Sequence, residues 1–184
     1  MTEPLLPREI GPDIRPDNDT DFGPDVAAEV VALLIERGLT VAVAESLTGG
    51  LLVAELVAVA GASAAVRGAV VAYHSQLKHS LLGVDAVVLA EHGPVHPQVA
   101  SQMADRVRGR LSVYGVAADI GISTTGVAGP GPHDGQAAGT VYLGLAIGTQ
   151  ISWRGMQLMG SRSEIRHQAV AHSLDWLKTV LQLR

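Results

Sequence analysis

Ser46 stands where an apolar run gives way to a pair of glycines, in Ala44-Glu45-Ser46-Leu47-Thr48-Gly49-Gly50. A hydroxyl at a strand-to-helix turn, followed by small residues that leave backbone N–H groups accessible, suits a nucleophile, an anion site or an ordinary helix cap. The G-x-S-x-G spacing of the usual hydrolase elbow is absent. Further along, Tyr73-His74-Ser75-Gln76-Leu77-Lys78 sets a lysine among Leu77, Leu81 and Leu82. Apolar surroundings lower a lysine's pKa, and its free amine can then act as a base toward serine. On an exposed helix face the same lysine would simply be solvated.

Two more segments carry groups that bind ligands. Gly126 to Gly135 holds four glycines and two prolines in ten residues, a composition that selects a loop whose amides can approach a ligand closely. No Gly-Lys-Ser/Thr follows Gly126 or Gly129 in the loop, so it is not a Walker P-loop. Thr125, just before it, is a hydrogen-bond donor to a substrate or a structural strand-end residue. Ser161-Arg162-Ser163-Glu164-Ile165-Arg166 combines a capping box with two arginines. Cations at a helix start oppose the dipole, which suits either an anion site or a solvated surface. His92 and His96 span Pro94, and His74/His79 and His167/His172 are five apart, so none makes a helical metal pair and no metal site is expected.

The elements that must position these residues follow from periodicity and breakers. A helix is predicted from Asp25 to the Gly38 stop, a strand over 40–44, and a helix resuming at Thr48. A second strand is expected over 68–73, short helices over 75–82 and 85–91, a longer one over 98–113, and a strand over 117–123. Strands over 139–147 and 150–158 pair through Gly148-Thr149, and a helix closes the chain from Ser161 to Leu181. Mixed strands and helices of this kind predict a three-layer α/β/α domain with a mixed β-sheet covered by helices.

Composition narrows the function classes. The chain has 184 residues, of which 47% are hydrophobic, and a mean hydropathy of +0.27, so it is expected to form one compact domain over 25–184. Residues 1–24 carry five of the nine prolines among aspartates and read as a disordered or extended tail. With no cysteine, thiol nucleophiles and Cys-ligated metals are excluded. A formal charge of −5 argues against a nucleic-acid partner but leaves room for a small anion at a local positive site. No secretory leader and no membrane span is read, so a cytoplasmic location is expected. Aromatics are only 3%, which favours close packing of helices on the sheet.

Taken in order, Ala44-Glu45-Ser46-x-Thr48-Gly49-Gly50, Tyr73 with Lys78, Thr125-Gly126-Val127-Ala128-Gly129-Pro130, and Gly139-Thr140-Val141 followed by Gly160-x-Arg162-x-x-x-Arg166 resemble the CinA C-terminal domain family, which includes stand-alone nicotinamide mononucleotide deamidases. The likeness spans about residues 25 to 181. It implies an amidohydrolase that converts nicotinamide mononucleotide to nicotinate mononucleotide and ammonia without a cofactor. It further implies Ser46 as nucleophile, Lys78 as its base and Tyr73 as a hydrogen-bonding or proton-relay partner. Thr48, Gly49, Gly50, Thr125, Gly126, Gly129, Arg162 and Arg166 would serve the substrate, a pyridine mononucleotide. A homo-oligomer, a dimer by preference, is expected, and the alternative reading is a non-catalytic nucleotide-binding or regulatory module. The chain departs from the family pattern at Leu47, His74-Ser75 and Gln136-Ala137-Ala138. Longer members carry an N-terminal domain linked to nucleotide pyrophosphatase activity, which is not expected here.

Overall fold

The computed structural model describes residues 26–183; the tail expected over residues 1–24 lies outside them. Strand β1 (Val41–Glu45) is buried at every position, as a strand covered on both faces must be. Its side chains alternate between two cores. Val41 and Val43 face helices α1 (Val26–Glu36), α2 (Leu51–Ala58) and α6 (Arg162–Gln182). Ala42 and Ala44 face α5 (Pro97–Arg110) together with residues around α3 (Ser75–Ser80) and α4 (Ala86–His92). The result is the expected three-layer α/β/α arrangement.

The sheet order is β2-β1-β3-β4-β5. Strands β2 (Val66–Val71) and β3 (Ile120–Gly126) run parallel to β1 on either side, while β4 (Thr140–Ile147) and β5 (Gln150–Gln157) add an antiparallel hairpin. The chain leaves β1 toward β2 on one side and returns to β3 on the other. The carboxyl ends of β1 and β3 therefore form a topological switch point, where adjoining loops diverge and leave a crevice.

Small residues let α5 lie close on this sheet. A methyl group at Gly121 would collide with the Ala104 carbonyl oxygen, and one at Gly144 with the Ala100 carbonyl oxygen. Between them Ser123 donates its hydroxyl to the same Ala100 oxygen at 2.7 Å. The close layers expected from a core poor in aromatics are thus realised through glycine and a satisfied serine.

Strands β3 and β2 are shifted from expectation at both ends, β2 closing at Val71 rather than Tyr73. Strand β3 begins at Ile120 and runs on to Gly126, because Asp119 is occupied by the Thr40 amide and hydroxyl. Ser123, Thr124 and Thr125 are fully buried inside it, so Thr124 and Thr125, expected to lie beyond the strand, belong to it. Strand β2 starts earlier, at Val66, through a register shift that skips Arg67 and places Gly68 at φ +136°. Among the described residues no helix is long and apolar enough to cross a membrane.

Gly144→Val is expected to lower unfolding stability by about 3 kcal/mol, since the new side chain must push α5 off the sheet. Urea denaturation measures this, and an unchanged midpoint would mean that α5 can shift without loss.

Candidate active site

At the end of β1 the chain turns sharply, and three interactions fix the turn. The Glu45 carboxylate is fully buried and accepts from the Gly50 amide at 2.8 Å, the Leu52 amide at 3.2 Å and the Val53 amide at 2.9 Å. These are N–H groups that the first turn of α2 cannot satisfy itself, and a carboxylate there also complements the helix dipole. Gly49 and Gly50, at φ +62° and +102°, supply the left-handed backbone that the reversal needs. From the far end of the sequence, Arg166 on α6 donates Nε to the Leu47 carbonyl at 3.1 Å and Nη2 to the Thr48 carbonyl at 2.7 Å. Thr48 and Thr124 share a buried hydroxyl contact of 2.7 Å.

Ser46 sits on this turn, nearly buried, with its own amide donated to the Thr124 carbonyl at 3.0 Å. The Lys78 ammonium nitrogen, Nζ, lies 3.0 Å from Ser46 Oγ. Lys78 is 2% exposed, and burial pulls its pKa down to about 8, with the Asp134 carboxylate opposing the fall. Helix α3 carries the lysine inward. The His74 ring caps its first turn by accepting from the Gln76 amide, so the departure at His74 from the family pattern has a structural use.

Above the pair opens a cavity of about 460 Å³ walled by Tyr73, Pro94, Val95, the 126–133 loop and Arg162, a size suited to a small ligand. Arg162 donates Nη1 to the Gly129 carbonyl and Nη2 to the Tyr73 hydroxyl, each at 2.8 Å. The capping box expected at Ser161 and Glu164 is present and sets this arginine at the start of α6. The loop closes on itself through paired bonds between His133 and Gln136.

Of the residues singled out in the sequence, Ser46, Lys78, Tyr73, Gly126, Gly129 and Arg162 all line this cavity. The other five support it from behind. Thr48 is turned to Thr124, Thr125 donates to the Pro94 carbonyl at 2.8 Å, the Gly50 amide is taken by Glu45, Gly49 shapes the turn, and Arg166 holds two turn carbonyls. Glu45 and Asp134 were missed as contributors. Glu45 was legible as an acid four residues before a glycine pair, whereas nothing local ties Asp134 to Lys78. Leu47 joins the main core while also bordering the cavity. Among the described residues no group of three or more His, Asp or Glu could hold a metal ion.

This α/β architecture is that of the CinA superfamily. A crystal structure of a CinA superfamily protein from Klebsiella pneumoniae matches with a TM-score of 0.80 and 34% identity, covering 87% of this chain and 98% of that one. The competence/damage inducible protein CihA from Agrobacterium tumefaciens matches with a TM-score of 0.77 and 31% identity, covering 88% and 98% respectively. The CinA C-terminal domain model matches residues 24–181, and the chain belongs to that family. A CinA-like protein from Frankia casuarinae is 45% identical over 152 residues, which are 83% of this chain and 34% of that protein. The chain spans about a third of the length of the curated relatives it matches.

Two stability measurements follow. Below about pH 8 the folded state holds a charged, desolvated lysine, a cost relieved as pH rises toward the ordinary value of 10.5. Lys78→Met should therefore stabilise the protein at pH 7 by about 2 kcal/mol, net of one lost hydrogen bond, with the advantage shrinking between pH 8 and 10.5. Denaturation of both proteins across that range checks the sign. Glu45→Gln should destabilise by about 2 kcal/mol, because an amide NH2 would face one of the three helix N–H groups.

Proposed function

We propose that this domain is an amidohydrolase that releases ammonia from nicotinamide mononucleotide, with Ser46 as nucleophile and Lys78 as its base. The supporting observation is the 3.0 Å contact between Lys78 Nζ and Ser46 Oγ, shut away from water at the foot of a cavity. A binding module has no use for so costly a pair. Family membership supports the same reading.

In this mechanism the neutral amine of Lys78 takes the Ser46 hydroxyl proton as Oγ bonds to the carboxamide carbon, and the carbonyl π electrons move onto oxygen. With the Gly50 amide committed to Glu45 and the Ser46 amide to Thr124, Leu47 is the turn residue at the cavity wall whose amide can serve that oxyanion. Collapse breaks the C–N bond, and the Lys78 ammonium protonates the departing nitrogen to give ammonia. Water then attacks the ester and passes a proton to Lys78, and Oγ leaves with that proton, freeing nicotinate mononucleotide. Arg162 uses two of its five N–H donors inside the protein and offers the others to the phosphate. Arg166 orients the turn.

Purified protein incubated with nicotinamide mononucleotide should release ammonia and nicotinate mononucleotide, and Ser46→Ala or Lys78→Ala should lower kcat by about a thousandfold or more. Because the base must be uncharged, kcat/KM should climb with pH through about 8 and then level off. Binding without turnover would favour the regulatory module instead.

A further inference from the structure

The cavity wall has an unusual charge distribution for the ligand proposed above. Nicotinamide mononucleotide presents a planar ring with a permanent positive charge on its nitrogen, close to the carboxamide that must reach Ser46. Yet the charged side chains of the wall, Lys78 and Arg162, are basic, and no carboxylate is among its described lining residues. Asp134 borders a neighbouring hollow that shares Ser75 and Pro94 with the cavity. Asp134 acts on Lys78 from that side, but the wall residues that a cationic ring would touch directly offer it no acid.

Tyr73 is the ring's partner by position and by exposure. It follows the end of β2, anchored through Ala72, which is fully buried and donates its amide to the Glu45 carbonyl at 2.8 Å. Its hydroxyl is held at 2.8 Å by Arg162, which is itself tied to the Gly129 carbonyl. The side chain is nevertheless 61% exposed. With the hydroxyl engaged, what it presents to the cavity is chiefly the aromatic ring, already fixed in place before a ligand arrives. Aromatic faces carry a negative quadrupole and attract cations set against them.

We infer that Tyr73 is a specificity-determining residue whose ring stacks on the quaternised pyridine of the substrate, so that the site prefers the cationic ring to its neutral dihydro form. This inference rests on the mononucleotide reading above and assigns Tyr73 to ring recognition, apart from proton relay. The reduced mononucleotide makes a close control. It keeps the phosphate, ribose and carboxamide and loses the ring charge and the ring's full planarity.

The test is calorimetric binding of nicotinamide mononucleotide and of its dihydro form to full-length protein carrying Ser46→Ala, with Tyr73 intact or changed to Phe or Leu. With Tyr73 intact, the oxidised ligand should bind about tenfold more tightly than the reduced one. Tyr73→Phe keeps the ring and should keep that ratio even if both affinities fall. Tyr73→Leu should bring the ratio close to one. Equal affinities with Tyr73 intact, an unchanged ratio in Tyr73→Leu, or a ratio lost as fully in Phe as in Leu would each overturn the inference while leaving the mononucleotide reading in place. Failure to bind either ligand with Tyr73 intact would overturn both.

Discussion

A buried lysine amine held against a nearly buried serine hydroxyl is the contact on which the remaining architecture depends. Left to itself, a buried ammonium would draw in water or move out to reach it. Here it is confined because α3 is short and anchored at both ends. The His74 ring caps its start, and the Lys78 carbonyl accepts from the Val84 amide just beyond its end. On the serine side, Glu45 and Arg166 grip opposite chemical ends of one turn, the first taking N–H groups and the second carbonyls. Neither partner of the pair can relax away without breaking bonds elsewhere.

The position of the recess follows from the sheet. The segments after β1, β2 and β3 bring Ser46, Tyr73 and the glycine-rich loop to one edge of three parallel strands, with Lys78 a few residues beyond Tyr73 on α3. The antiparallel hairpin of β4 and β5 is not adjacent to the pair but sets the geometry at a distance. Its Gly144 shares the close approach to α5 with Gly121, and that helix is entered through the Pro94-Val95 turn that walls the cavity.

Much of this was legible in the chain. The glycine pair, the Ser161 capping box and the short apolar run of β1 are local signals, each with a physical cause within a few residues, and they located the site's main pieces. The class of the sheet followed from the same signals. The end of β3 was not legible, because what keeps it in the sheet is remote. Ser123, Thr124 and Thr125 look like a strand leaving the core, but Ala100, Thr48 and Pro94 satisfy them at long range. Arg166 was similarly legible as a cation at a helix start, while its engagement with carbonyls more than a hundred residues away leaves no trace in the neighbouring sequence.

That last engagement gives the order of synthesis a consequence. The turn bearing Ser46 emerges early, yet the arginine that latches it belongs to the final helix of the domain. A ribosome-bound chain that has not released α6 carries the serine without its latch. The geometry of the Ser46 turn is therefore complete only once α6 has folded against it, so that a chain lacking this helix holds the serine on a turn fastened by Glu45 alone.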